Sequence, residues 1–170
     1  DLMSLSRIEA DRFVAPTEKV DLGSILQSAT QNVRNQAQAC ACKLHLELED
    51  DLPPVPGDFA QIAQLVDNLL SNAVRYGCAT PNCDIRLAAA TEVGFVRLEV
   101  SDTGPGISRH HLPFLTRRFY RVDAARSRDG GGTGLGLAIV KHIVERHRGT
   151  LAIDSDEGRG TRVTVRLPLQ

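Results

Sequence analysis

Apolar residues recur along this chain with two different periods, which predict an alternation of helices and strands. The most regular helical stripe lies in FAQIAQLVDNLLSNAVRYG, after a predicted cap at Asp58. This stripe consists of Ile62, Leu65, Val66, Leu69, Leu70 and Ala73. Another helix is predicted over VDLGSILQSATQNVRNQAQA, entered through Asp21 or Ser24. A third is predicted over 134–147, with a core face of Leu135, Ala138, Ile139, His142 and Ile143.

Alternation of apolar and polar residues predicts the strands. KLHLELED alternates leucines with Lys43, His45 and Glu47, as a half-buried strand does. DIRLAAA and FVRLEVSD are predicted to form a hairpin that turns at Gly94, and TLAIDSD and TRVTVRLP follow the third helix. ISRHHLPFL predicts a short helix or turn, and 118–133 a polar loop. This order predicts an α+β fold, a two-layer sandwich with helices on one face of a mixed, mostly antiparallel sheet.

Composition narrows the class of protein without naming a function. The 170 residues are 42% hydrophobic and 24% charged, with a formal net charge of -1, as in an ordinary soluble domain. That charge gives no reason to expect nucleic acid or an anionic membrane as a partner. No apolar run is long enough to span a bilayer. The cysteines lack the spacing of a zinc site. Two disulfides are the alternative, but a chain with this much core does not need them, so we predict reduced thiols, as in the cytoplasm, at Cys40, Cys42, Cys78 and Cys83.

A run of glycines opens the third predicted helix, in SRDGGGTGLGLAIVKHIVERH. The spacing does not fit a P-loop, because the chain contains no Gly-Lys dipeptide, and it does not fit the dinucleotide-binding fingerprint. Gly132, Gly134 and Gly136 would let the backbone approach a ligand closely, and the unpaired N–H groups of the helix start favour a polyphosphate. A glycine-rich hinge without a ligand is the alternative.

Two further groups of residues favour the same chemistry. Asp102 ends a predicted strand in SDTGPGI, where its carboxylate can accept a hydrogen bond from the exocyclic amine of adenine; an Asx turn is the alternative. Asn68 and Asn72 are four residues apart and share a helix face, with Arg75 and Tyr76 one turn later. An asparagine oxygen suits Mg²⁺ already held by phosphates, and an arginine suits the phosphates themselves. Solvated surface amides are the alternative at the two asparagines.

Together, these motifs resemble a known set. DNLLSNAVRYG, DTGPGI, RRFYRVD, GGGTGLGLAIVKHIV and EGRGTRVTVRLP are similar to the N, G1, F, G2 and G3 boxes of the catalytic ATP-binding domain of bacterial sensor histidine kinases. The resemblance covers roughly residues 20–168 and implies the two-layer fold shared with Hsp90, gyrase and MutL. Residues 1–16 resemble the end of a dimerisation helix and its linker, which leaves 17–170 as the ATP-binding domain. The junction is similar to that of phosphate-regulon sensor kinases.

The resemblance implies a role for individual residues. Asp102 would bind the adenine amine beside Gly104 and Gly106, and Asn72 would hold Mg²⁺ on the phosphates of ATP. The implied catalytic residues are Asn68, Asn72, Arg75 and Arg118. The other implied nucleotide-binding residues are Tyr76, Ile107, Phe119, Gly132, Thr133, Gly134, Leu135, Gly136, Leu137 and Thr161. In one departure, Thr116 and Arg117 stand where the F box usually has an aromatic and then an acidic residue.

The implied activity is that of a protein-histidine kinase, which binds Mg-ATP and donates its γ-phosphoryl group to a histidine. None of the five histidines has the H-box context of an acceptor, so the acceptor is expected on the separate dimerisation domain, which forms the homodimer of a full-length kinase. The resemblance also implies a response regulator downstream, no nucleic-acid partner, no membrane contact by this fragment, and a cytoplasmic location within an inner-membrane protein.

Two alternative activities remain. The chain would be a nucleotide-binding pseudokinase or interaction module if it binds nucleotide without phosphotransfer, and the altered F box favours that alternative. An ATP hydrolase would need an acidic residue on the N-box helix to activate water. Here Asn68 occupies that position, and the neighbouring Asp67 lies about 100° round the helix from it.

Overall fold

Two helices begin where the sequence offers a carboxylate to their unpaired N–H groups. The computed structural model describes residues 3, 6, 14–77, 82–117 and 136–170. Three α-helices have both ends within these ranges: α1 (Leu22–Ala39), α2 (Phe59–Asn72) and α3 (Gly136–Arg146). Asp21 accepts a hydrogen bond from the Gly23 N–H ahead of α1, and Asp58 accepts one from the Gln61 N–H ahead of α2, each at 3.0 Å. The predicted caps at Asp21 and Asp58 are therefore confirmed.

The strands form one large sheet and one small one. They are β1 (Lys19–Val20), β2 (Lys43–Leu48), β3 (Val55–Pro56), β4 (Asp84–Glu92), β5 (Phe95–Asp102), β6 (Thr150–Asp156) and β7 (Gly160–Pro168). The large sheet has the order β2-β4-β5-β7-β6, in which β2 and β4 are parallel and all other neighbours are antiparallel. β4 and β5 form the predicted hairpin, with Gly94 at a φ of +81° in its turn. The mixed, mostly antiparallel sheet is confirmed.

One face of the large sheet carries the core, and the other carries charge. Ile85 and Leu87 of β4 are fully buried, while Arg86 between them is exposed. The buried positions of β4, β5 and β7 join the buried faces of all three helices in one apolar cluster. We call the opposite side, which carries Arg86, Glu47 and Arg162, the open face. This arrangement is the predicted two-layer sandwich.

Short elements account for the differences from the predicted order. β1 and β3 pair over only two residues each, Lys19 with Pro56 and Val20 with Val55, so no periodicity marks them in the sequence. Beyond α2 the chain stays helical but adopts a π-helical turn over Ala73–Gly77. A 3₁₀ helix spans Arg109–Phe114, where a short helix or turn was predicted.

The prediction for the cysteines is wrong, and the predicted core face of α3 is wrong at one residue. Cys42 is disulfide-bonded, so the four cysteines are not all reduced, although Cys40 and Cys83 are free thiols. On α3 the predicted core residues Ala138, Ile139 and Ile143 are buried, which is confirmed. Val140 and Val144 are buried as well, whereas His142 is only half-buried. The loop predicted over 118–133 and position 135 lie outside the described residues. Most of residues 1–13 also lie outside the described residues. The domain boundary at residue 16 therefore stays a prediction.

Candidate functional site

Asp102 is the last residue of β5 and lies between Ile85 of β4 and Thr161 of β7 in the sheet register. Its Oδ1 accepts a hydrogen bond from the Gly104 N–H at 2.9 Å, which is the Asx turn that the sequence left open. Burial raises the pKa of Asp102 above its ordinary range, and hydrogen bonds from the backbone N–H groups of Gly104 and Thr161 offset part of that rise. The turn therefore fixes the carboxylate in place, and the two roles considered for Asp102 are compatible.

Two glycines keep other side chains away from this carboxylate. The π-helical turn ends at Gly77, where a Cβ would lie 2.9 Å from the Cβ of Asp102 and 3.2 Å from its Oδ1. A Cβ on Gly104 would lie 2.6 Å from the Cα of Gly77. Contacts this short require a glycine or a shift of the backbone. Gly77 was missing from the predicted site because in the sequence it looks only like the end of a helix.

The loop that follows Asp102 is fastened to the turn between β6 and β7. Gly106 has a φ of +74°, and a Cβ there would overlap the carbonyl oxygen of Asp156. The Gly158 N–H donates a hydrogen bond to the carbonyl oxygen of Pro105 at 2.7 Å. The predicted G1 and G3 boxes are thus in direct backbone contact.

Ser155 joins these two boxes through its side chain and was not predicted. Its Oγ accepts a hydrogen bond from the Ile107 N–H at 2.7 Å, and it lies 3.0 Å from the Gly160 carbonyl oxygen and 2.8 Å from Thr161 Oγ1. The residue is buried. A signal existed in the sequence, because Ser155 continues the face of β6 that carries the apolar residues Leu151 and Ile153.

Asn68 and Asn72 lie against the start of α3. Nδ2 of Asn68 donates to the Gly136 carbonyl oxygen at 3.4 Å, and the Asn72 amide lies 3.7 Å from the position that a Cβ would take on Gly136. The start of a helix presents unpaired N–H groups and the positive end of its dipole. The structure therefore brings both predicted asparagines together with the start of the predicted G2 helix.

Arg75 and Tyr76 occupy the π-helical turn between Asn72 and Gly77. The Tyr76 side chain is 47% exposed, and Arg75 is half-buried without a hydrogen bond or ion pair to any other described residue.

Burial raises the pKa of Asp67, which neighbours Asn68. In the described ranges, no cluster of three or more His, Cys, Asp or Glu side chains could hold a metal ion.

The remaining predicted residues divide between described and undescribed parts of the chain. Ile107 and Leu137 are half-buried. At the start of the predicted F box, the Arg117 guanidinium lies 4.4 Å from the centre of the Phe114 ring. Six predicted residues lie outside the described ranges and stay predictions: Arg118, Phe119, Gly132, Thr133, Gly134 and Leu135.

A protein-family model described as histidine kinase-, DNA gyrase B-, and HSP90-like ATPase matches residues 57–170. That range contains the asparagines of α2, the start of α3 and the surroundings of Asp102. The chain belongs to this family. As a member of the ATPase family it has the fold and the order of motifs that the sequence resemblance implied.

Individual relatives are sensor kinases. The chain is 39% identical to the phosphate regulon sensor protein PhoR of Pseudomonas aeruginosa over 168 residues, which are 96% of this chain and 36% of that protein. The structure is similar to the mycobacterial sensor histidine kinase MprB, with a TM-score of 0.75 and 27% identity over 89% of this chain and 97% of that chain. Full-length ShkA in complex with AMPPNP gives a TM-score of 0.82 at 24% identity over 98% of this chain and 34% of that one, which shows the shared fold.

The chain spans 20% to 37% of the length of the first curated relatives that it matches. Within the described ranges, no helix is both long enough and apolar enough to cross a membrane.

The Ser155 hydroxyl is expected to matter for both stability and nucleotide affinity. In Ser155→Ala the part-buried Ile107 N–H loses its acceptor, and the loss of a typical hydrogen bond costs about 0.5–1.5 kcal/mol. We expect a loss of that size in the free energy of unfolding, measured with urea, and weaker Mg-ATP binding by calorimetry. Ser101→Ala, on the open face, is the matched control and should change neither. Unchanged ATP affinity in a destabilised Ser155→Ala protein would limit the hydroxyl to a role in folding.

Proposed function

We propose that this ATPase-family domain binds Mg-ATP and donates the γ-phosphoryl group to a histidine on a dimerisation domain, as the catalytic domain of a two-component sensor kinase. The observation that carries the proposal is the arrangement around one π-helical turn. At its C-terminal end Asp102 contacts Gly77, and at its N-terminal end Asn72 faces the start of α3. The sensor kinases among the relatives support this assignment.

The base of ATP is recognised at the Asp102 end. The carboxylate accepts a hydrogen bond from the exocyclic amine of adenine, while Gly77 and Gly104 leave space for the flat ring. The half-exposed Tyr76 lies against the nucleotide. Thr161 and Ile107, fixed by Ser155, complete this end of the site.

The phosphates are recognised at the Asn72 end. The N–H groups at the start of α3 and the Arg75 guanidinium bind phosphate oxygens, and Asn68 holds the start of α3 through Gly136. Asn72 would hold Mg²⁺ through its amide oxygen, and the bound ion would supply neutralisation of phosphate charge. Phosphoryl transfer asks the protein mainly for positioning and charge neutralisation, which these groups provide.

The acceptor is a histidine of another domain. None of the five histidines of this chain has the sequence context of an acceptor, and His147 is buried. We propose that the partner is the dimerisation domain of the same kinase, that a response regulator receives the phosphoryl group next, and that the whole kinase is anchored in the inner membrane with this domain in the cytoplasm.

A second candidate function is a nucleotide-binding module without phosphotransfer. One observation favours it: Arg117, in place of an acidic residue, packs its guanidinium on the Phe114 ring. An acidic residue at this position could not make this cation–π contact. Nucleotide binding is common to both candidates, and only phosphotransfer separates them.

Selection of adenine over guanine tests the proposed binding site. Guanine has a carbonyl oxygen where adenine has its amine, so it would direct an acceptor at the Asp102 carboxylate. Loss of one hydrogen bond to a charged group corresponds to about a ten- to hundredfold weaker affinity. We expect calorimetric titration to show Mg-ATP bound that much more tightly than Mg-GTP. Equal affinities, or no binding of either nucleotide, would contradict the assignment of Asp102.

A further inference from the structure

His147 links the two helices that carry the proposed nucleotide site, at the end remote from that site. It follows α3 directly, is 4% exposed, and its Nε2 accepts a hydrogen bond from the Asp58 N–H at 3.0 Å. Its Nδ1 lies 2.8 Å from the Ile143 carbonyl oxygen, to which it must donate. The imidazole is therefore neutral, with the proton on Nδ1 and the acceptor on Nε2.

The surroundings of the ring allow little movement. A Cβ on Gly57 would lie 3.2 Å from both Cδ2 and Nε2 of His147, so the backbone ahead of α2 contacts the ring edge. Asp58 is the cap of α2, and its carboxylate also contacts the Arg146 guanidinium at 3.4 Å. His147 therefore accepts its hydrogen bond from the residue that caps α2, the helix of the predicted N box.

The pair of helices is held at both ends. At the other end Asn68 donates to the Gly136 carbonyl oxygen, and Asn72 lies beside Gly136. Because a helix is nearly rigid, a change at the Asp58–His147 end would tilt or slide α3 against α2 and displace the start of α3 from Asn72. The proposed phosphate site lies between Asn72 and the start of α3.

We propose that His147 is a positioning residue for nucleotide binding, whose hydrogen bond to the Asp58 N–H sets the position of α3 against α2 and thereby the separation of Asn72 from the start of α3. This inference rests on the proposed function and adds to it a residue that touches neither ATP nor the acceptor. The proposal also explains why the histidine is neutral. In a protonated ring, Nε2 would carry a hydrogen that faces the Asp58 N–H, so two donors would meet and the hydrogen bond would be lost.

Protonation of the ring should break the hydrogen bond between the Asp58 N–H and Nε2 of His147. Burial lowers the pKa of His147, the charge of Arg146 lowers it further, and the Ile143 carbonyl and the Asp58 carboxylate partly offset this. Among the described residues, Lys19 and Arg148 line the same cavity as the ring. A lowered histidine pKa means that the stabilisation is complete above the ordinary histidine range and is lost as pH falls through the lowered pKa.

Two substitutions of His147 separate positioning from folding. His147→Phe keeps the ring shape without an acceptor, and His147→Gln places an amide oxygen near the position of Nε2 without a titrating group. With the whole 170-residue chain at about pH 7.5, calorimetry should show Mg-ATP affinity reduced about three- to tenfold in His147→Phe and close to that of the unsubstituted chain in His147→Gln. His45→Phe, which removes an exposed histidine of the open face, should match the unsubstituted chain.

The dependence of Mg-ATP affinity on pH provides the second test, because a purely structural role of His147 would not change it. The unsubstituted chain should lose affinity as pH falls below the ordinary histidine range, and His147→Gln should lose much less, since Asp102 titrates equally in both. A destabilised His147→Phe that binds Mg-ATP normally would overturn the proposal. If His147→Phe does not fold, a His147→Gln profile identical to that of the unsubstituted chain would overturn it. Failure of the unsubstituted chain to bind ATP at any pH would instead contradict the proposed function.

Discussion

Asp102→Ala is expected to weaken the binding of Mg-ATP and Mg-ADP about ten- to a hundredfold, because it removes a buried, charge-assisted hydrogen bond to the adenine amine. Titration calorimetry measures this directly. Asp154→Ala removes the same charge from an exposed position on β6 and is the matched control, with unchanged affinity expected. Equal ADP affinity in Asp102→Ala and the unsubstituted chain would show that Asp102 does not recognise the base.

The raised pKa of Asp102 gives this prediction a second signature. The ionised carboxylate accepts the hydrogen bond from adenine, so affinity should be lost as pH falls through the raised pKa, above the ordinary aspartate range. Because the folded protein holds this proton more tightly than the unfolded chain, the ionised carboxylate destabilises the empty domain at neutral pH. Asp102→Asn should therefore fold at least as stably as the unsubstituted chain at neutral pH while binding ATP more weakly.

Asn72→Ala is expected to stop phosphotransfer from this domain to a separate dimerisation domain. Without the amide oxygen, Mg²⁺ would lose its protein ligand beside the start of α3, and charge neutralisation on the phosphates is a central requirement of phosphoryl transfer. The measurement is acid-labile labelling of the dimerisation domain with γ-labelled ATP. Asn35→Ala, on the exposed side of α1, is the control and should label at the normal rate. Normal labelling by Asn72→Ala would remove Asn72 from the site.

Local patterns predicted most of the fold. The caps at Asp21 and Asp58 depend only on side chains next to the helix they begin, and the β4–β5 turn depends on Gly94. The alternation in β2 and the helical stripe in α2 follow from burial of one face of each element. Asp102 and Asn72 were predicted as site residues because a family motif places them in a fixed local context, and their nucleotide contacts stay predictions.

Features that depend on distant contacts could not be predicted in the same way. The hydrogen bond of Ser155 reaches Ile107, 48 residues earlier, and that of His147 reaches Asp58, 89 residues earlier. Gly77, at the end of the π-helical turn, needs to be glycine because of Asp102, which lies 25 residues later at the end of β5. The disulfide at Cys42 likewise depends on which thiol the fold brings close, and spacing does not reveal it.

The most direct test of the central claim is to mix the 170-residue chain with a separate dimerisation domain that carries an H-box histidine, add Mg²⁺ and γ-labelled ATP, and measure acid-labile phosphohistidine on each protein. The proposed function predicts label on the dimerisation domain only when both proteins are present, and none on this chain alone. Label on any of the five histidines of this chain would contradict the placement of the acceptor. ATP binding with no label on the dimerisation domain would contradict phosphotransfer and favour the nucleotide-binding module.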